Sequence, residues 1–166
     1  SKDVIAQINL LKSSPGGEKL VGIRHQVHDE PDLGWLMQPN VINGIAECHK
    51  AGLVYDLLLK EPHMPAAIKC VDKLPDVRFV VDHISKPRIK NAEMEPWVDL
   101  IEQLAQRPNV YCKVSGMVTE ASWDKWTVSD FQPYFDRVVE FFGANRLMYG
   151  SDWPVSVIAG GYGKVI

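Results

Sequence analysis

Apolar residues recur every three to four positions in five stretches of the chain, and a short apolar run follows each stretch. The spacing is typical of amphipathic helices, whereas short β-branched runs are typical of buried strands. Proline or glycine stands at most of the boundaries, and Ser129 is placed to cap the last helix. The pattern predicts helices over residues 4–11, 40–50, 65–74, 96–107 and 130–142, and strands over residues 20–27, 54–59, 77–83, 110–115 and 147–152.

This alternation predicts the α/β class, with a parallel sheet covered by helices. The first strand is not followed by a glycine-rich dinucleotide motif, which favours a TIM-like (β/α)8 barrel over a Rossmann sheet. A complete barrel has eight strands and typically about 250 residues, and this sequence predicts fewer. We therefore expect residues 1–166 to form a single domain, an incomplete barrel that lacks the first strands and the C-terminal end and exposes apolar surface.

Composition narrows the function classes. The chain is 46% apolar with a formal net charge of -3, and its lysines and arginines are scattered among acids, so nucleic acid is not an expected partner. Its apolar runs are far shorter than the roughly 20 residues of a membrane helix, so we expect no membrane partner either. The cysteines Cys48, Cys70 and Cys112 have no metal-type spacing and indicate core positions in a reducing compartment, which predicts a cytoplasmic protein. The expected partner is a small-molecule substrate, and a homo-oligomer stays open.

Candidate chemistry lies where the predicted strands end. In a parallel barrel these ends gather at one face, so polar residues there converge. Asp152 and His83 are the candidate catalytic residues. The candidate substrate-binding residues are Arg24, His25, Lys86, Lys113 and Trp153.

Alternation along a strand refines the expectation. Because side chains have a period of two, His83 should share the inward face with Phe79 and Val81, and Asp82 should point away and be structural. By the same rule, Lys113 and Ser115 share one side of their strand.

The segments RLMYGSDWPV, VVDHISKP, VYCKVSG and VGIRHQVHDEP, in their order and spacing, resemble the amidohydrolase-related family and its sugar-acid lactonase branch, which includes fuconolactonase and 2-pyrone-4,6-dicarboxylate lactonase. The resemblance covers residues 20–155, and Gly-Ser-Asp-Trp-Pro is its most specific part. It implies a hydrolase of carbohydrate metabolism that opens a lactone or related cyclic ester. It also implies that Asp152 is the general base for water, and that His83 contacts the reacting group or a metal.

One feature of that superfamily is missing, the His-x-His pair of its first strand. His25 and His28 do not replace it, because residues three apart on a strand point to opposite sides. We infer that the first strand of this sequence, over residues 20–27, is the third of the barrel. No obligatory cofactor is expected, and a divalent metal such as zinc, held by His83 and Asp152, is the alternative.

Other interpretations stay open at this point. Asp152 could cap the following segment, His83 could be a core histidine, and Arg24 could pair with Asp29 or Glu30 instead of a substrate carboxylate. Lys86 and Lys113 could be ion-pair partners. The rival functions are a metal-dependent amidohydrolase or decarboxylase, a class I aldolase that uses Lys113, and an inactive fragment.

Overall fold

Five parallel strands form one sheet, and their spatial order is their order in the sequence. The computed structural model describes residues 2–165, and helices connect successive strands, so the predicted α/β alternation and parallel pairing are confirmed. The strands are β1 (Gly22–His25), β2 (Val54–Leu57), β3 (Phe79–Val81), β4 (Val110–Val114) and β5 (Leu147–Tyr149), and the helices are α1 (Lys2–Ser13), α2 (Pro39–Lys50), α3 (Met64–Lys73), α4 (Trp97–Ala105), α5 (Val128–Phe142) and α6 (Tyr162–Val165).

The two faces of the sheet differ in chemistry. Leu57, Phe79, Val81 and Cys112 are fully buried and belong to the main core, which fills the space between the sheet and its helices. The strand register places both polar and apolar residues on the opposite face. They are Arg24, Asp56, Val80, Lys113 and Met148. In a barrel this second face is the interior.

This arrangement corrects the predicted orientation of β3. Phe79 and Val81 face the helices, so the interior face of this strand carries Val80 and, directly after it, Asp82. Alternation alone had placed His83 inward and Asp82 outward. The strand ends at Val81, two residues before the predicted end, and alternation does not apply beyond it.

The chain leaves β3 through a left-handed backbone. His83, Ile84, Ser85 and Lys86 have φ values of 51°, 45°, 59° and 50°, a conformation that side chains with a Cβ rarely adopt. Surrounding contacts hold the run in place: Ile84 and Ser85 are fully buried, and the indole nitrogen of Trp97 donates a 2.7 Å hydrogen bond to the Ile84 carbonyl oxygen. Several such residues in succession are typical of functional sites, where neighbouring structure maintains strain.

The structure confirms the predicted burial of the cysteines and corrects the predicted cap of α5. All three cysteines are buried and free, as expected. Ser129 is not the cap of α5; Thr127 is, and its backbone N–H donates a 2.7 Å hydrogen bond to the Asp130 carboxylate. The short helix of residues 155–159 and helix α6 carry too little periodicity to be predicted. Within residues 2–165, no helix is long and apolar enough to cross a membrane.

Candidate active site

A charge network centred on a buried aspartate lies on the interior face, near the carboxyl ends of the strands. Asp82 is fully buried between two cations: Arg24 Nη1 lies 3.1 Å from its Oδ2, and Lys113 Nζ lies 2.7 Å from its Oδ1. Lys113 Nζ also lies 2.5 Å from Asp56 Oδ2. The network therefore contains two acids and two bases that neutralise one another. It corrects the alternative pairing of Arg24 with Asp29 or Glu30, because Arg24 pairs with Asp82 instead.

The electrostatics keep Lys113 charged. Burial alone would lower its pKa, but hydrogen bonds to Asp56 and Asp82 more than offset that effect and raise the pKa above its ordinary value. A Schiff-base lysine needs the opposite, a lowered pKa that frees the amine as a nucleophile. The local chemistry thus disfavours the class I aldolase interpretation of Lys113.

A second cluster lies just beyond the strand ends and joins three segments of the chain. His83 Nδ1 lies 2.8 Å from the hydroxyl oxygen of Ser115, which follows β4. His83 Nε2 lies 3.6 Å from Oδ1 of Asp152, which follows β5. The side chains of His83 and Asp152 are each only 13% exposed. The structure therefore brings the two predicted catalytic residues together.

Backbone geometry makes room for this cluster. Gly116 has a φ of 65°, and a Cβ built on it would lie 2.8 Å from His83 Nδ1. A Cβ on Gly150 would lie 3.3 Å from Ser115 Cβ. Asp152 itself has a φ of 53°, a strained conformation, and its carboxylate lies beside the histidine. Glycine at these two positions lets the three side chains approach.

The His83 imidazole is held in its neutral form. Burial is the largest effect and lowers the pKa of His83 below 6.5. The positive charges of Lys86 and Arg24 lower the pKa further, whereas the Asp152 and Asp82 carboxylates raise it. The net direction is downward, so the ring is neutral near neutral pH. A neutral imidazole offers one N–H donor and one acceptor.

The remaining predicted residues lie outside these two clusters. His25 stacks on Trp35, with ring centroids 4.3 Å apart, and its Nε2 lies 2.6 Å from Glu30 Oε1. Lys86 forms a 2.7 Å ion pair with Glu120, and Trp153 is exposed. Their assignment as substrate contacts stays a prediction.

Comparison with known proteins places the chain in a family. The model of the amidohydrolase family matches residues 8–165, nearly the whole chain. The chain belongs to the amidohydrolase family. It is 37% identical over 163 residues to an L-fucono-1,5-lactonase of Burkholderia ambifaria, and the match covers 98% of this chain and 55% of the relative. The resemblance inferred from the sequence motifs is thereby confirmed.

Two crystal structures of an amidohydrolase from Burkholderia multivorans share the fold. One, with bound zinc, has a TM-score of 0.85 and 33% identity and covers 96% of this chain and 58% of its own. The other, with bound HEPES, has a TM-score of 0.89 and 30% identity and covers 99% of this chain and 60% of its own. This amidohydrolase chain thus spans a little over half the length of these relatives.

The zinc in that relative raises the question whether the site here fits a metal. His83 Nε2 and Asp152 Oδ1 are close enough together to share an ion, but a catalytic zinc ordinarily has three protein ligands. Among residues 2–165, no group of three or more His, Cys, Asp or Glu side chains is arranged to hold one. The described part of this amidohydrolase therefore does not fit a complete zinc site.

Sequence reasoning missed several members of the two clusters, chiefly Asp56, Asp82 and Ser115. Asp56 did give a signal, since a carboxylate that interrupts an apolar strand needs a partner on the interior face. Asp82 was assigned to the wrong face. Ser115 was recognised only as sharing a side with Lys113, because nothing in the sequence shows that the turn after β3 brings His83 to it.

Proposed function

We propose that the full-length protein hydrolyses the lactone of a sugar acid, with Asp152 as the general base for water and His83 as the group that stabilises the acyl oxygen. The observation that carries the proposal is the pair of His83 Nε2 and Asp152 Oδ1, 3.6 Å apart at the carboxyl ends of the strands. Catalytic groups of this barrel architecture come from those ends. The name of the relative from Burkholderia ambifaria, an L-fucono-1,5-lactonase, supports the same class of substrate.

The reaction needs a base for the water molecule and a hydrogen-bond donor for the oxygen that gains negative charge. Asp152 accepts a proton from water as the water oxygen bonds to the acyl carbon, and the carbonyl oxygen gains negative charge. A neutral His83 donates an N–H to that oxygen in a site that is largely shielded from solvent. The ring C–O bond then breaks, and the leaving alkoxide receives the proton held by Asp152. The product is the open hydroxy acid.

The charge network would orient the substrate. Arg24 uses one nitrogen on Asp82, and its half-exposed side chain has further N–H donors that can bind a hydroxyl or carboxylate oxygen. Lys113 is held between two carboxylates, which favours a positioning role over direct chemistry. We propose that His25, Lys86 and Trp153 also bind substrate, as predicted from the sequence, because they lie at or after the same strand ends as Arg24, His83 and Asp152.

A panel of lactones tests the proposal. Full-length protein should release acid from 1,5- and 1,4-lactones of six-carbon sugar acids, measured by pH-stat titration, and should leave linear amides of the same acids intact. Failure to open any lactone in the panel, together with hydrolysis of the amides, would contradict it.

The same assay separates the rival functions. We propose that no metal is obligatory, so prior treatment with a chelator should leave lactone hydrolysis unchanged. Loss of activity with the chelator, and its recovery with zinc, would establish the metal-dependent amidohydrolase instead. Borohydride inactivation in the presence of a keto substrate would establish the aldolase.

A further inference from the structure

Ser115 has a place in the site that the proposed reaction does not yet use. It follows β4 directly and is almost fully buried, and its hydroxyl oxygen lies 2.8 Å from His83 Nδ1. Within residues 2–165, His83 Nδ1 is the one hydrogen-bond partner of that hydroxyl. The contact therefore joins a buried hydroxyl to the ring nitrogen that faces away from Asp152.

The contact has two possible directions, which are not equivalent. If His83 Nδ1 carried the proton and donated it to Ser115, the buried hydroxyl proton would have no acceptor among the described residues. If the hydroxyl donates to an unprotonated Nδ1, neither group is left unsatisfied. Buried donors without acceptors are strongly disfavoured, so the second direction prevails. A neutral ring must then carry its proton on Nε2.

The surrounding backbone is shaped around this pair. Gly116 leaves room for the His83 ring, and Gly150 leaves room beside Ser115 Cβ. The left-handed turn at residues 83–86 brings the ring to Ser115 although β3 ends before it. Three separate segments thus adopt unusual local features that permit one hydrogen bond.

We propose that Ser115 is a positioning residue that fixes His83 as the Nε2–H tautomer, so that the histidine acts as a hydrogen-bond donor at the reacting centre. The inference rests on the proposed function. The proposal places the ring proton on Nε2, which faces Asp152 and the position where an acyl oxygen would gain charge. A histidine that ligates a metal through Nε2 needs the opposite tautomer, with the proton on Nδ1.

The tautomer can be read by NMR on full-length protein labelled with ¹⁵N at histidine. The signals of His83 are assigned by their disappearance in His83→Asn, or in His83→Gln if the first variant does not fold. We expect Nε2 to be the protonated nitrogen in the wild-type protein. A wild-type ring protonated at Nδ1 would overturn the proposal.

Variants at Ser115 test the positioning role. Ser115→Ala should lose the single tautomer and lower lactone turnover by about 10- to 100-fold, the range found when the hydrogen-bond partner of a metal-ligating histidine is removed. Ser115→Thr keeps the hydroxyl and should restore both the ring signals and most of the turnover. Ser115→Ala with unchanged ring signals and turnover would overturn the role.

Ser156 provides the matched control. It is a fully buried serine whose hydroxyl has no hydrogen-bond partner within the part of the chain that the structure describes. Ser156→Ala should leave the His83 signals and turnover unchanged. If the wild-type protein opens no lactone, the proposed function fails by itself, and the ring signals in the wild type and in Ser115→Ala still decide the inference about Ser115.

Discussion

The two polar clusters at the strand ends lie side by side and differ in how fully their members are paired. In the charge network, both oxygens of Asp82 lie within 3.1 Å of a cation, and Lys113 contacts two carboxylates. In the His83 cluster, only the contact with Ser115 is a close hydrogen bond, and Asp152 lies at 3.6 Å. The ion pairs of Asp82 and Lys113 stabilise one arrangement, whereas the His83 cluster has capacity left for a ligand.

Backbone geometry separates the clusters in the same way. Arg24, Asp56 and Lys113 lie on regular strands, whose register sets their positions. His83 and Asp152 lie just past strand ends, in left-handed conformations. Strain of this kind persists where surrounding packing enforces it, and it is concentrated at functional sites. We infer that the charge network supports the site and that the His83 cluster performs the chemistry.

The largest effect on folding is expected from Lys113→Met. The change leaves the fully buried Asp82 carboxylate with Arg24 alone, and removal of one partner of a buried ion pair costs about 3–5 kcal/mol. Because Arg24 remains, we expect a loss of about 3 kcal/mol in the free energy of unfolding, measured by urea denaturation.

Arg137→Met is its control. Arg137 and Glu140 form an exposed ion pair at 2.6 Å on α5, and such pairs contribute about 1 kcal/mol or less. Equal destabilisation by the two variants would remove the distinction between a supporting network and ordinary surface charge.

A smaller and more selective effect is expected from Gly116→Ala. The methyl group would lie 2.8 Å from His83 Nδ1, so the ring must move, and the left-handed backbone costs a further 1–2 kcal/mol or so. Gly52→Ala introduces the same strain at a φ of 79°, with no atom within 4 Å of the new carbon. Gly116→Ala should lose more stability than Gly52→Ala, and only Gly116→Ala should also lose lactone turnover. Equal turnover in the two variants would show that the position of the His83 ring is unimportant.

The smallest effect concerns pH. Because the pKa of His83 lies below 6.5, the catalytic neutral ring persists through neutral pH, and turnover should fall only at more acidic values. The unfolded chain takes up the proton first, so the contribution of His83 to stability is complete above pH 6.5 and decreases as pH falls from there toward the lowered pKa.

The positive charge of Lys86 helps to lower the pKa of His83, so removal of Lys86 tests whether His83 causes the acid limb. Lys86→Met should move the acid limb of the turnover profile to higher pH, toward 6.5. An acid limb that stays in place in Lys86→Met would assign the titration to a group other than His83.

The sequence predicts the residues on regular strands better than the contacts made just after the strands end. Regular periodicity predicts the five strands and the residues near their ends, including Arg24 and Lys113. It does not predict what happens when the chain leaves a strand: four successive left-handed residues follow β3, and His83 lies next to Ser115. The partners of Asp82 were also missed, because they depend on register between strands distant in sequence. Alternation is a local rule, and these contacts are not local.

The most direct test of the account is the turnover of Asp152→Asn. Asparagine is nearly isosteric and tolerates the left-handed backbone at this position, where φ is 53°, so unfolding by urea should be almost unchanged. Loss of the general base should lower lactone turnover by roughly 10²–10⁴-fold. Near-normal turnover by a folded Asp152→Asn would contradict the assignment of Asp152 as the base.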